Sequence, residues 1–192
     1  MPITRHALAA SLALIMAAGG SATPVWAQDV SGFRLEALNG ICSDVRTENY
    51  QRYQNKIVEA AGVQSGDTEA ERRARTAALF SQFMPHCEGF NVRRGNILKY
   101  AVNQNASAFI YAAINDWDAD LDQVDAADGR TVLDYVINEI VKNRGTSQEA
   151  VFDLYRAVLV RGGARTRAQA EAEGRTYPGI PSIAELAAQV RQ

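Results

Sequence analysis

Lysine, histidine, cysteine and tryptophan are all scarce in this chain of 192 residues, which holds three Lys, two His, two Cys and two Trp. Two cysteines with so little histidine do not supply the ligand sets that hold structural zinc. The 20 basic and 22 acidic residues leave a formal charge of −2, so the basic face that nucleic acid requires is not expected. Long apolar runs are missing too. The longest, Ala7 to Ala18, is 12 residues, and a membrane span needs roughly 20. No stretch of six or more residues alternates with a period of two, which argues against a β domain. A Gly-x-Ser-x-Gly elbow, a His-Glu-x-x-His helix and a phosphate-cradling glycine loop are absent as well. No cofactor-binding motif takes their place.

What is present is the composition of a globular protein, 47% hydrophobic and 22% charged, which excludes a disordered tail or a collagenous repeat. Residues 1–27 have the three parts of a secretory signal: Arg5, the apolar run, and Val25-Trp26-Ala27 as a small-x-small cleavage site. Removing them leaves a chain that can bury its own core as one domain, with no membrane insertion of the mature form. Arginine outnumbers lysine 17 to 3, a bias of GC-rich bacterial genomes, and the expected compartment is the periplasm. There Cys42 and Cys87 are expected to form a disulfide, with free or intermolecular thiols as the alternative. In the chain-entropy description such a bridge contributes about 4 kcal/mol.

Helical periodicity dominates residues 28–93. Leu38, Ile41, Cys42 and Val45, then Tyr50, Tyr53, Ile57 and Ala60, predict amphipathic helices over about 31–45 and 48–62. Thr68 and Glu71 form the capping box of a third helix, carrying Ala78, Leu79, Phe83 and Met84 on one face and ending before Pro85. Glu71, Arg72, Arg73 and Arg75 read as its solvated face. Near the end, Ser182 and Glu185 form another capping box, opening a helix with Ile183, Leu186, Ala187 and Val190 as its buried stripe.

Between these lies an internal repeat. Asn96-Ile97-Leu98-Lys99-Tyr100-Ala101-Val102 matches Thr131-Val132-Leu133-Asp134-Tyr135-Val136-Ile137 at an offset of 35. Asp128-Gly129-Arg130-Thr131 matches Glu173-Gly174-Arg175-Thr176 at an offset of 45. A loop insertion of about ten residues around Lys142 to Gln148 would account for the change. Ala119-Asp120-Leu121-Asp122, Asp125, Asp128-Gly129-Arg130-Thr131 and Leu133, with Leu154, Leu159 and Gly162-Gly163-Ala164, resemble the ankyrin repeat. Val132 and Asp134-Tyr135 depart from that family's Pro and His positions. The resemblance implies an all-α fold: a helix-turn-helix repeat stack over 94–176, an N-terminal helical cap over 28–93 and a C-terminal capping helix over 177–192.

Chemistry is sparse. Asp116 to Asp122 invites a calcium reading, but Leu121 stands where an EF-hand loop needs Gly and Ala127 where it needs a bidentate Glu. His86 beside Cys87 lacks an orienting third group, and a bridged Cys87 is no nucleophile. Asp116 to Asp134 holds seven Asp, whereas Arg156 to Arg175 holds five Arg. Stacked repeats would set these segments side by side, where they could cross-pair. By the resemblance, a protein partner would be recognised through loop tips and inner helices: Trp117, Asp118, Gln123, Arg130, Asp134, Lys99 and Arg165. Trp117 is either an exposed anchor or a core residue tucked against its neighbour. The function this implies is a non-enzymatic, periplasmic protein-binding module, an adaptor or a neutraliser of an envelope-acting enzyme. The alternatives are an envelope hydrolase using carboxylates of the acidic segment, and a structural envelope protein.

Overall fold

A computed structural model of the chain describes residues 33–88, 95–182 and Glu185. The leader expected at 1–27 and the apolar stripe of the final helix lie outside the described residues. The helix expected over 31–45 is instead broken into a 3-10 turn, Leu35–Leu38, and helix α1, Ile41–Arg46. Gly40 sits between them with φ of 73°, a left-handed conformation that a side chain would strain. Helix α2, Tyr50–Ala60, follows the second expected helix, and the Asn49 side chain caps it by accepting the Arg52 N–H at 3.3 Å. Helix α3, Glu69–Gln82, opens on the expected box. The Thr68 N–H donates to the Glu71 carboxylate at 2.7 Å, and the same contact holds the Glu71 carboxyl below its ordinary range.

After α3 the chain forms a short antiparallel pair, β1 (His86–Cys87) with β2 (Gly95–Asn96). Strands of two residues carry no readable periodicity. Cys42 and Cys87 are bonded to each other, so the bridge ties α1 to β1, one step beyond the helix end expected from the sequence. Among the described residues there is no free cysteine.

Two helix pairs follow: α4 (Ile97–Asn103) with α5 (Ser107–Asn115), and α6 (Val132–Lys142) with α7 (Ser147–Arg161). The short α8 (Arg167–Ala172) comes next. Helices α4, α6 and α8 start on Asn96, Thr131 and Thr166, and each of these side chains accepts the backbone N–H three residues on. Those caps are 35 residues apart at both steps. The expected change of offset to 45 therefore does not describe the helix starts, because the counterpart of Thr131 is Thr166 and not Thr176. Nor are there ten inserted loop residues near Lys142. The second pair has longer helices, of 11 and 15 residues against 7 and 9, and a shorter exit loop, so length moves from loop to helix at constant spacing. The caps also bond between units. The Thr131 hydroxyl donates to the Arg165 carbonyl at 2.9 Å, and the Arg167 N–H donates to the Asp134 carboxylate at 2.9 Å.

One continuous core runs from Leu38 through Ala164. Its aromatic centre is Trp117, which leaves α5 and inserts between α2, α3 and α5. Its ring stacks on Phe80 at 5.8 Å and meets Phe109 and Tyr53 edge-on at 5.1 and 6.2 Å. The indole N–H donates to Gln54 at 3.0 Å, and the Trp117 carbonyl accepts the Thr76 hydroxyl at 3.1 Å. Every polar atom of this residue that enters the core is thereby satisfied.

Candidate functional site

The residues expected at a recognition surface are largely absorbed by the fold. Trp117 is 1% exposed, so of its two readings the core one holds. Lys99 is 0% exposed. Its ammonium donates to Asp128 at 2.7 Å and lies 3.4 Å from Asp125. Asp125 also accepts the Asn96 and Ala127 N–H groups at 2.8 and 3.0 Å, and His86 Nε2 stands 3.7 Å from it. This cluster locks the loop after α5 onto the start of α4. Asp134 is the third residue of α6, and its carboxylate accepts the Thr131 N–H in a capping box. Gln123 and Arg130 are half-buried, and Asp118 is exposed with φ of 49°.

Arg165 is half-buried and its guanidinium meets Asp122 at 2.5 Å. It also pairs with Glu173, and Arg175 pairs with Asp120. Hydrogen bonds donated to those carboxylates hold both arginines more firmly protonated than usual, Asp122 acting on Arg165 and Asp120 on Arg175. The acidic segment and the basic one do cross-pair, as their charges suggest. Four of the seven aspartates, Asp120, Asp122, Asp125 and Asp128, thus face a cation. Among the described residues no three His, Cys, Asp or Glu side chains are gathered to hold a metal ion.

A different surface is left open. Helix α5 has only nine residues, and its outward face carries the small Ser107 and Ala108 beside the exposed ring of Tyr111. Tyr50 at the head of α2 rises on one side of it, and Leu154 and Val158 of α7 on the other. Together they frame a groove of about 650 Å³. Its apolar side chains are strongly exposed: Leu154 by 65%, Tyr111 by 64% and Tyr50 by 42%. An apolar concavity of this size is where partners and ligands bind.

The polar groups of the groove are few. The Tyr155 hydroxyl donates to Asn105 at 3.1 Å, and burial pushes that phenol up to about 12. The Tyr50 phenol is raised by burial and then by the carboxylate of Asp116, its hydrogen-bond partner. Among the described residues Asp116, like Asp118, has no cationic partner, unlike Asp120, Asp122, Asp125 and Asp128. The groove was not read from the sequence, but a signal for it exists. Helix α7 carries more apolar residues than one buried stripe needs, with Leu154 and Val160 outside the stripe of Phe152, Tyr155 and Leu159.

The described residues define a mostly helical protein with a two-stranded sheet and one disulfide. Among them no helix is long and apolar enough to cross a membrane. No protein-family model, curated protein or solved structure matches the chain.

Proposed function

We propose that the mature chain is an exported, periplasmic protein-binding module without enzymatic activity, built as an ankyrin-like stack and docking its partner in the groove over α5. The observation that carries this reading is the groove itself: Tyr50, Tyr111 and Leu154 are exposed at it, whereas Lys99, Arg165 and Arg175 are paired with carboxylates. The even spacing of the caps Asn96, Thr131 and Thr166 supports the repeat architecture. Two and a half units cannot bury all their own faces, and the N-terminal helices closed by Trp117 supply the cap.

An adaptor or a neutraliser of an envelope-acting enzyme fits a small, bridged domain with an apolar docking surface. The hydrolase alternative is disfavoured by the same geometry. Its carboxylates would have to face a substrate, yet Asp120, Asp122, Asp125 and Asp128 are turned to Arg165, Arg175 and Lys99.

A photoreactive amino acid placed in living cells at Tyr111 or Leu154, and in parallel at Asp118 or Arg130, tests the docking surface. The expected outcome is a discrete cross-linked protein from the groove positions and none from the loop positions. Cross-links from Asp118 and Arg130 alone would move the partner back to the loop tips and end this reading.

A further inference from the structure

We infer that the groove over α5 receives an amphipathic helix of a partner protein, with its apolar side chains along α5 and an Arg or Lys at the Asp116 end. The inference rests on the groove being the docking surface, and it adds the chemistry of what docks.

The shape selects a helix. The floor is nine residues of α5, about 13 Å, or some two and a half helical turns. An occupant of that length offers apolar anchors at positions i, i+3 or i+4, and i+7. The groove is lined by helices α2, α5 and α7 and the turn at Asn105, none of them a strand edge to which an extended peptide could add. A helix brings its own backbone hydrogen bonds. The small side chains Ser107 and Ala108 let its axis approach the first turn of α5, while the exposed Tyr50, Tyr111 and Leu154 offer it apolar contacts.

The charge selects the end group. An apolar occupant that covers Asp116 strips water from a carboxylate with no cation among the described residues. Such desolvation is costly unless the occupant supplies the missing charge. The Glu48 carboxylate also acts on the Tyr155 hydroxyl of the groove, adding to its negative potential. Arginine suits the site better than lysine, because a guanidinium can pair with Asp116 and lie over the exposed ring of Tyr50.

The test uses the full-length protein and a displayed library of 12-residue peptides, with Leu154→Asp and Asp116→Asn as comparison proteins. The expected enrichment is for apolar residues in helical spacing plus a terminal Arg or Lys. Selected peptides should lose binding to Leu154→Asp and weaken about tenfold or more on Asp116→Asn. Circular dichroism of both variants should match the parent. Peptides without a cation that bind the parent and Asp116→Asn equally, but not Leu154→Asp, would overturn the inference and leave the docking surface standing. Peptides indifferent to Leu154→Asp would remove both. Proline-rich or strand-patterned sequences, or no enrichment, would overturn the helical occupant. A dimer in sedimentation that Leu154→Asp dissociates would put a second copy in the groove and overturn it too. So would a cross-link from Leu154 to residues 183–192 of the same chain, which would make the groove's occupant the chain's own end.

Discussion

Replacing Lys99 by Met separates a structural lysine from a recognition lysine. The ammonium is completely buried and serves two carboxylates, Asp128 at 2.7 Å and Asp125 at 3.4 Å. Both carboxylates are themselves buried or nearly so, Asp125 by its side chain completely. The Met side chain fills almost the same volume, so little of the effect is packing. What remains is two carboxylates in a low-dielectric site with their cation gone. Removing one partner of a buried ion pair costs about 3–5 kcal/mol, out of the roughly 5–15 kcal/mol that holds a domain folded. For a chain of this size that corresponds to a fall in Tm of roughly 6–20 °C. Urea unfolding followed by circular dichroism reads the loss directly. Adding Asp125→Asn and Asp128→Asn to the Met variant should recover a large part of it, because the uncompensated charge disappears. A variant within 1 kcal/mol of the parent, or no recovery in the triple variant, would refute the electrostatic account of this cluster.

Three further outcomes follow from the packing. Trp117→Ala should cost about 3–5 kcal/mol. Before that, acrylamide quenching of the mature chain, whose single tryptophan is then Trp117, should be weak in the native state and strong in urea. Gly162→Ala should destabilise by about 1–3 kcal/mol in thermal melts, because the new Cβ would stand 2.9 Å from the Ile114 side chain. Stability should also fall with rising pH above the ordinary tyrosine range. Burial pushes Tyr53, Tyr135 and Tyr155 up to about 12. Between pH 10 and pH 12 the unfolded chain thus releases protons that the folded one keeps, and the equilibrium shifts toward unfolding. A flat urea midpoint across that window would contradict the burial of these phenols.

The helices and their caps were the legible part of the sequence. Thr68 with Glu71 and Ser182 with Glu185 form the boxes their spacing implies, because an N-cap is decided by residues three apart. The disulfide was legible by elimination, since only two cysteines exist. The repeat was half-legible. The offset of 35 is set by cap positions, whereas the Gly-Arg-Thr likeness at 45 reflects only two similar turns, one before α6 and the other after α8. Gly40 breaks the first helix in a stretch whose apolar spacing runs straight through it. Which side chains stay on the surface was not legible from residue type alone. Trp117 and Lys99 have the chemistry of contact residues, yet long-range packing decided their fate: Phe80 lies 37 positions before the one and Asp128 lies 29 after the other. Leu154 looks like core in the sequence and is exposed because it lies off the stripe of Phe152, Tyr155 and Leu159 that α7 buries.

The insertion of Trp117 between α2 and α3 has a consequence for the order in which the chain can fold. Residues 28–93 would emerge with the ring sites of Tyr53 and Phe80 unfilled, and no later turn of those helices supplies a substitute. The Cys42–Cys87 bond can close in such an intermediate, but the space beside Tyr53 and Phe80 waits for a residue 30 positions beyond Cys87. The amino-terminal helices are thus a socket that the repeats complete. A protease that cuts between residues 88 and 95 should release two fragments that fold only together.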